Sequence, residues 1–287
     1  MANKLTAIPA LCGIQIRQNM LTKRAMMIAL LIAVYTYSML EPIKEFSISV
    51  GYPVTPFAYP FLVGDSICTM IIAAGIIGLL SNAPFYHDMA DYVAVRSGRG
   101  SMIAANACFI CLLCLVYTLY VVLISIVALI PALALDDAWG KVWGTLTRTT
   151  ARHEIRLQFE MNDNIRAFYT PIEATFKTLL LQWGFASFLG GVIYVGNIRS
   201  KRPYGTWIAC GFVPLDIVIY NCLPDRYVMY SPISFSTLSG VTRSIAGTSF
   251  EHASLLYIIG FTLCMTAAYC IDKSGVWRSR WNKRIRN

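Results

Sequence analysis

Charge is what this sequence lacks. Only 14% of its 287 residues are Asp, Glu, Lys or Arg, and 56% are hydrophobic, whereas a soluble domain carries about 25% charged residues. That deficit argues against an ordinary soluble enzyme or nucleic-acid-binding domain and points to a membrane protein. Nucleotide-binding glycine loops are missing too: no G-x-x-x-x-G-K-[ST] occurs, and "SGRGSM" has neither the spacing nor the Lys, so this chain has no ATP site of its own. Histidine is scarce, with only His87, His153 and His252 present, all outside the apolar runs. Ser187 in "GFASFLGG" therefore has no base, and "HEIRL" at His153-Glu154 lacks the second His that a zinc-protease helix needs. No internal repeat or low-complexity tract appears.

Cysteine is not scarce. The nine residues at 12, 68, 108, 111, 114, 210, 222, 264 and 270 lie almost entirely in apolar sequence, which suits reduced packing residues better than a disulfide framework. The run Cys108, Cys111, Cys114 sits in unbroken "ACFICLLCL" with no loop to wrap a metal, so no metal is expected there.

A helix crossing a bilayer needs about 20 mostly apolar residues. Six runs qualify: Ala25–Leu40, Pro60–Leu80, Met102–Leu135, Thr178–Ile198, Trp207–Leu223 and Ala253–Ile271. The first is short, and the third is too long for one straight crossing, so it projects or breaks near Pro131. The fold class expected is an all-α integral membrane protein with six transmembrane helices. An amphipathic helix in 1–24, interrupted by Pro9, lies along the membrane surface; the six-helix domain fills 25–271; a basic tail occupies 272–287.

With both termini cytoplasmic, the inner segments hold 15 of the 24 Lys and Arg but only three acids, Asp88, Asp91 and Asp272. The outer segments hold nine basic and ten acidic residues. This is the positive-inside pattern, and it accounts for the net charge of +9 without nucleic acid. Trp277 and Trp281 among the basic residues of the tail suit contact with anionic lipid. The outer connections 136–177 and 224–252 are long, and the first is expected to carry a surface-lying helix.

Asp65 and Asp216 are the two acids within the apolar runs, and an intramembrane carboxylate is costly enough to suggest function. Asp65 lies near the outer end of its run, where water can reach it. Asp216 follows Pro214 at a kink; with Asp65 and Tyr220 it is a candidate for lining a substrate path, or else it is satisfied in packing by Tyr220. The small-residue pairs Ala74/Gly78 and Ala186/Gly190 allow close helix packing.

The segment 81–101, "SNAPFYHDMADYVAVRSGRGS", joins the second and third runs. Ser81 or Asn82 before Pro84 reads as a helix start, and Gly98 with Gly100 as a stop. His87 and Asp91 are one turn apart but have no third partner for catalysis, and the ligands are too few for a metal. A solvated loop and a docking element for a cytoplasmic partner both remain open.

"APFYHDMADYVAVRSGRGSM", "LDDAWGKVWGTL" and "YSPISFSTLSG" resemble segments of the ABC-2 type permease family, the membrane subunits of bacterial ATP-binding-cassette exporters. The resemblance extends over most of the chain. It implies that 84–96 is the coupling helix, with Pro84, Phe85, Tyr86, His87, Asp88, Asp91, Tyr92 and Arg96 facing an ATPase. It also implies a re-entrant element near the outer gate, with Tyr230, Pro232 and Phe235. Partners would be a dimer of ABC ATPase subunits, which bind ATP and Mg2+, and a second permease chain, identical or homologous. The setting would be the bacterial cytoplasmic membrane, and the cargo a peptide or other amphipathic molecule. Two alternatives stand beside this: an ATP-independent secondary transporter, and a non-transporting sensor or immunity subunit.

Overall fold

The fold is taken from a computed structural model, which describes residues 4–20, 22–85, 98–200, 203–222, 231, 233–243 and 249–273. Among them the secondary structure is helical apart from one isolated bridge between Val54 and Leu133. Four of the described helices are long and apolar enough to cross a membrane, as expected of an all-α membrane protein.

Helix α1 (Lys4–Asn19) continues through Pro9. One side of it is covered: Cys12 and Gln15 are buried and the helix packs along α5 (Arg99–Val127). Proline costs one backbone hydrogen bond in a helix interior, and tertiary packing offsets that loss here. Burial, with Cys108 adding to it, pushes the Cys12 thiol up to about 11, so it stays protonated and unreactive at neutral pH.

Helix α2 (Lys23–Val50) is longer than the apolar run. Thr22 caps its start by accepting from Ala25 N at 3.2 Å, and Gly51, at φ 74°, ends it in the left-handed conformation that glycine tolerates best. Hydropathy marks where lipid ends, not where a helix ends, so Glu41, Lys44 and Glu45 extend α2 beyond the apolar stretch.

The second expected run is two helices. The short α3 (Tyr59–Leu62) stops at Val63, and α4 (Ser66–Leu80) restarts after Gly64 and Asp65. At 1.5 Å per residue the 15 residues of α4 reach about 22 Å, less than a hydrocarbon core of about 30 Å. Helix α5 ends at Val127, before Pro131. Cys108, Cys111 and Cys114 lie along it, the first exposed and the last buried, and all nine cysteines are free thiols.

The long connection after α5 is a folded cap. It carries α6 (Gly140–Arg148), α7 (Ala151–Glu154) and α8 (Asp163–Phe168). Trp143 is fully buried; its ring stacks on Phe61 at 5.2 Å and its indole N–H donates to Thr55 Oγ1 at 3.0 Å. Val54 N donates to Ala132 O, and Ala134 N to Val54 O, each at 2.9 Å.

Helix α9 (Pro171–Ser200) is the hub, with 56% of its apolar window buried. It packs against α4, α5, α10 (Tyr204–Phe212) and α13 (Phe250–Lys273). Between α10 and α13 come α11 (Leu215–Cys222), a 3-10 turn at Ser234–Ser236 and α12 (Leu238–Arg243). The fifth expected run is thus broken at Pro214, whose missing N–H and ring disfavour a continuous helix. By contrast only 11% of the apolar window of α13 is buried, and Leu255, Ile258, Ile259 and Leu263 face outward.

Side chains lace the helices to carbonyls inside the bundle. Tyr117 OH donates to Ile72 O at 2.7 Å, Tyr120 OH to Ala29 O at 2.8 Å, and Trp183 Nε1 to Cys111 O at 2.8 Å. Of the small-residue pairs, Ala186 is buried, Gly190 abuts Ile110 and Leu80, and Gly78 abuts Ile28, whereas Ala74 is exposed.

Candidate functional site

Two regions at opposite ends of the bundle concentrate polar groups. At the cap end, Asp65 takes an extended conformation, and its Oδ1 accepts from Ile67 N and Cys68 N, both at 2.9 Å. Its Oδ2 accepts from Glu160 N at 3.3 Å, tying the cap to the start of α4. Asp65 is therefore an N-cap with its oxygens already engaged by three N–H groups, and its negative charge complements the positive helix terminus. Asp65→Ala is expected to lower stability by about 1 kcal/mol, seen as a reduced Tm in detergent. Asp65→Asn keeps an oxygen for Ile67 N and Cys68 N but cannot accept from Glu160 N as well, so its Tm should fall between those of the parent and the alanine variant; an equal loss in both variants would show that the charge, not the cap, matters.

Beside Asp65 lies an open cleft of about 440 Å3, bordered by Gly64–Ile67, by Arg152 and His153, by residues 157–162 and by Ile217. The wall opposite α4 is steadied by Asp163, which accepts from Arg166 Nε at 2.9 Å. Partial burial alone would raise the Asp163 carboxyl, but the hydrogen bond and charge of Arg166 outweigh it and hold the group below its ordinary value.

The segment before α13 reaches deep among polar partners. Ser236 and Leu238 are fully buried, with Ser231, Ile233, Thr237 and Ser239 nearly so. Gln182, midway along α9 and itself buried, donates to Ser236 O at 3.0 Å. Ser239 Oγ donates to Gly64 O at 2.9 Å, next to the Asp65 cap. Phe235 packs partly buried against the core. Tyr230 and Pro232 lie outside the described residues, as do the side chains of Asp216 and Tyr220, which both belong to α11.

At the other end, the chain leaves α4 through a tight turn, with Ala83 N donating to Leu80 O at 2.8 Å and Phe85 N to Asn82 O at 3.0 Å. Four helices, α1, α2, α5 and α9, grip this turn. Arg24, at the start of α2, donates to Asn82 Oδ1 at 2.6 Å and to Ser81 Oγ. Gln15 on α1 donates to Phe85 O at 3.4 Å. The buried Phe85 ring meets Phe109 of α5 edge-on at 4.9 Å. Asn197 on α9 donates to Ala83 O at 2.8 Å and accepts from Gly205 N of α10 at 2.9 Å. Phe85 thus faces inward as an anchor, and Pro84 is half-buried. Tyr86, His87, Asp88, Asp91, Tyr92 and Arg96 lie outside the described residues.

Sequence reading missed Asn197, Gln15 and Gln182. The signal available was three amides on helices otherwise rich in apolar residues, a placement that calls for a hydrogen-bond partner. No protein-family model, no curated protein and no solved structure matches the chain.

Proposed function

We propose that the chain is the permease subunit of an ATP-driven exporter of the ABC-2 type, working with a second permease chain and a dimer of cassette ATPases in the bacterial cytoplasmic membrane. The six crossings are α2, α3 with α4, α5, α9, α10 with α11, and α13. The turn at Ser81–Phe85 is cytoplasmic, as are both termini, and the cap faces outward. ATP and Mg2+ belong to the partner, and the cargo is a peptide or other amphipathic molecule.

The observation that carries this reading is the anchoring of the turn. A force applied to 86–96 by a docked ATPase enters through Phe85 and Ala83, and passes at once to α1 by Gln15, to α5 by Phe109, and to α9 and α10 by Asn197. A solvated linker has no need of such attachment; a lever does, because packed helices respond as rigid bodies rather than deforming continuously. Alanine at Tyr86, Asp88 and Asp91 together is expected to abolish ATP-coupled transport while leaving the helices folded by circular dichroism. Intact coupling in that variant would remove 84–96 from the role.

A second reading, an ATP-independent secondary transporter, is favoured by the broken helices at Val63–Asp65 and Val213–Pro214, since such breaks line ion and substrate sites in those proteins. Asp65 weighs against it, because a carboxylate that accepts three N–H groups is committed to the fold.

A further inference from the structure

The cleft beside Asp65 gathers charges of both signs that the fold leaves unpaired. Arg152, His153 and Glu160 all border it. Arg152 Nε donates to His153 Nε2 at 3.3 Å, which leaves the ring's Nδ1–H as a further donor. Among the described residues no carboxylate pairs with Arg152 or His153, and no cation pairs with Glu160. Asp65 does not complete either pair, because three backbone N–H groups already engage its oxygens. Glu160 joins that network through its N–H alone, so its exposed carboxylate stays available. Depth narrows the choice of ligand. The 15 residues of α4 run from the Asp65 cap to the Ser81 turn that Arg24 holds. They span about 22 Å at 1.5 Å per residue, short of a hydrocarbon core of about 30 Å. The cleft is therefore level with the cap-side edge of the bilayer. Ile67 and Ile217 border it, and Ile67, Leu215 and Val218 face outward as lipid-facing side chains do. An unpaired charge at that level is costly and calls for a partner.

We propose that the cleft binds the headgroup of a zwitterionic phospholipid. The phosphate sits against Arg152 and His153, the primary ammonium against Glu160, and the acyl chains pass Ile67 and Ile217. A ligand carrying only negative charge would meet Asp65 and Glu160, and one carrying only positive charge would meet Arg152; a zwitterion pairs with both. Guanidinium and phosphate match in planar, bidentate geometry, and the ammonium gives Glu160 a charge-assisted hydrogen bond. The site is held before the ligand arrives, by Leu157 N donating to Arg152 O at 3.0 Å and Glu160 N to Asp65 Oδ2 at 3.3 Å. Binding therefore orders mainly the lipid. The volume of about 440 Å3 falls within the usual range for ligand sites. The inference goes beyond the exporter reading; it takes from it only that α3 with α4 crosses the membrane, and it needs no ATPase.

Native mass spectrometry of the full chain, released from detergent micelles, reads lipid binding directly. Three lipids with the same acyl chains are titrated: phosphatidylethanolamine, phosphatidylglycerol, which lacks the ammonium, and diacylglycerol, which lacks both charges. Phosphatidylethanolamine is expected to bind about tenfold tighter than phosphatidylglycerol, the worth of one charge-assisted hydrogen bond, and diacylglycerol most weakly. Glu160→Gln should close the gap between the two phospholipids. Arg152→Ala should weaken both several-fold, and Arg152→Lys should restore part of the loss. Neither side chain takes part in the backbone bonds that hold the segment, so the variants should melt with the parent. Equal affinity for the three lipids overturns the proposal, as does a phosphatidylethanolamine preference that survives Glu160→Gln. Displacement of the lipid by glycerophosphoethanolamine at equal concentration would assign the cleft to a soluble zwitterion and overturn it too. A chain that fails here yet drives ATP-coupled flux leaves the exporter reading standing without this site.

Discussion

Asn197→Leu is expected to destabilise the chain by roughly 2–4 kcal/mol and to uncouple the turn from α9. Asn197 is almost fully buried, and its amide makes two bonds in opposite senses, to Ala83 O and from Gly205 N. Leucine matches its size but leaves a carbonyl and an N–H without partners, and each orphaned group costs about 1–3 kcal/mol. Asn197→Asp separates the two bonds, because a carboxylate still accepts from Gly205 N but cannot donate to Ala83 O. Its Tm should fall between those of the parent and the leucine variant. Thermal unfolding in detergent checks the stability, and the ratio of transport to ATP hydrolysis checks the coupling. A leucine variant that melts with the parent would mean that water supplies both partners, and the turn would lose its firmest attachment.

Gly205→Val is expected to cost more than about 3 kcal/mol and to prevent recovery of monodisperse protein. Helices α9 and α10 meet backbone to backbone: a Cβ on Gly196 would lie 2.5 Å from Gly205 Cα. A Cβ on Gly205 would strike Ile193 O and approach Asn197 Oδ1 to 2.9 Å. Only Asn197 Oδ1 belongs to a side chain; the tightest clashes are with backbone atoms, so the helices themselves must separate. Small-to-large changes in a packed interior cost about 1–3 kcal/mol and more where the backbone must move; here the Asn197 bonds are disturbed as well. Gly211 supplies the control from the same helix. A Cβ there meets nothing within 4 Å, so Gly211→Ala should hold or gain stability through its better helix propensity. Size-exclusion profiles of the two variants give the comparison, and a normal profile for Gly205→Val would contradict the close crossing.

The apolar runs were legible because lipid imposes a length and a composition on whatever crosses it. Their ends and breaks were less so. Pro214 announced the fifth break, and Asp65 could have announced the second, since Asp directly before Ser66 and a long apolar run is an N-cap signal. Asp65 reads in the sequence as an intramembrane charge, and in the fold its oxygens hold the start of α4 and the Glu160 backbone. The cap was not legible. Trp143 reads as one amphipathic residue among charges, and its burial against Phe61 and Thr55 depends on contacts 82 and 88 residues away. The grip on the turn fails for the same reason: Asn197 and Ala83 are 114 residues apart, and nothing local to either specifies the other.

In the proposed transporter a cassette ATPase grips residues 84–96 and moves the helices through the Ser81–Phe85 turn. Affinity purification of the tagged chain from its native membrane, with ATPase activity measured in the eluate, tests it most directly. An accompanying ATPase is expected, lost when Tyr86, Asp88 and Asp91 are replaced by alanine and kept when the exposed Gly211 is changed. A monodisperse chain that carries no ATPase yet transports on its own would contradict it.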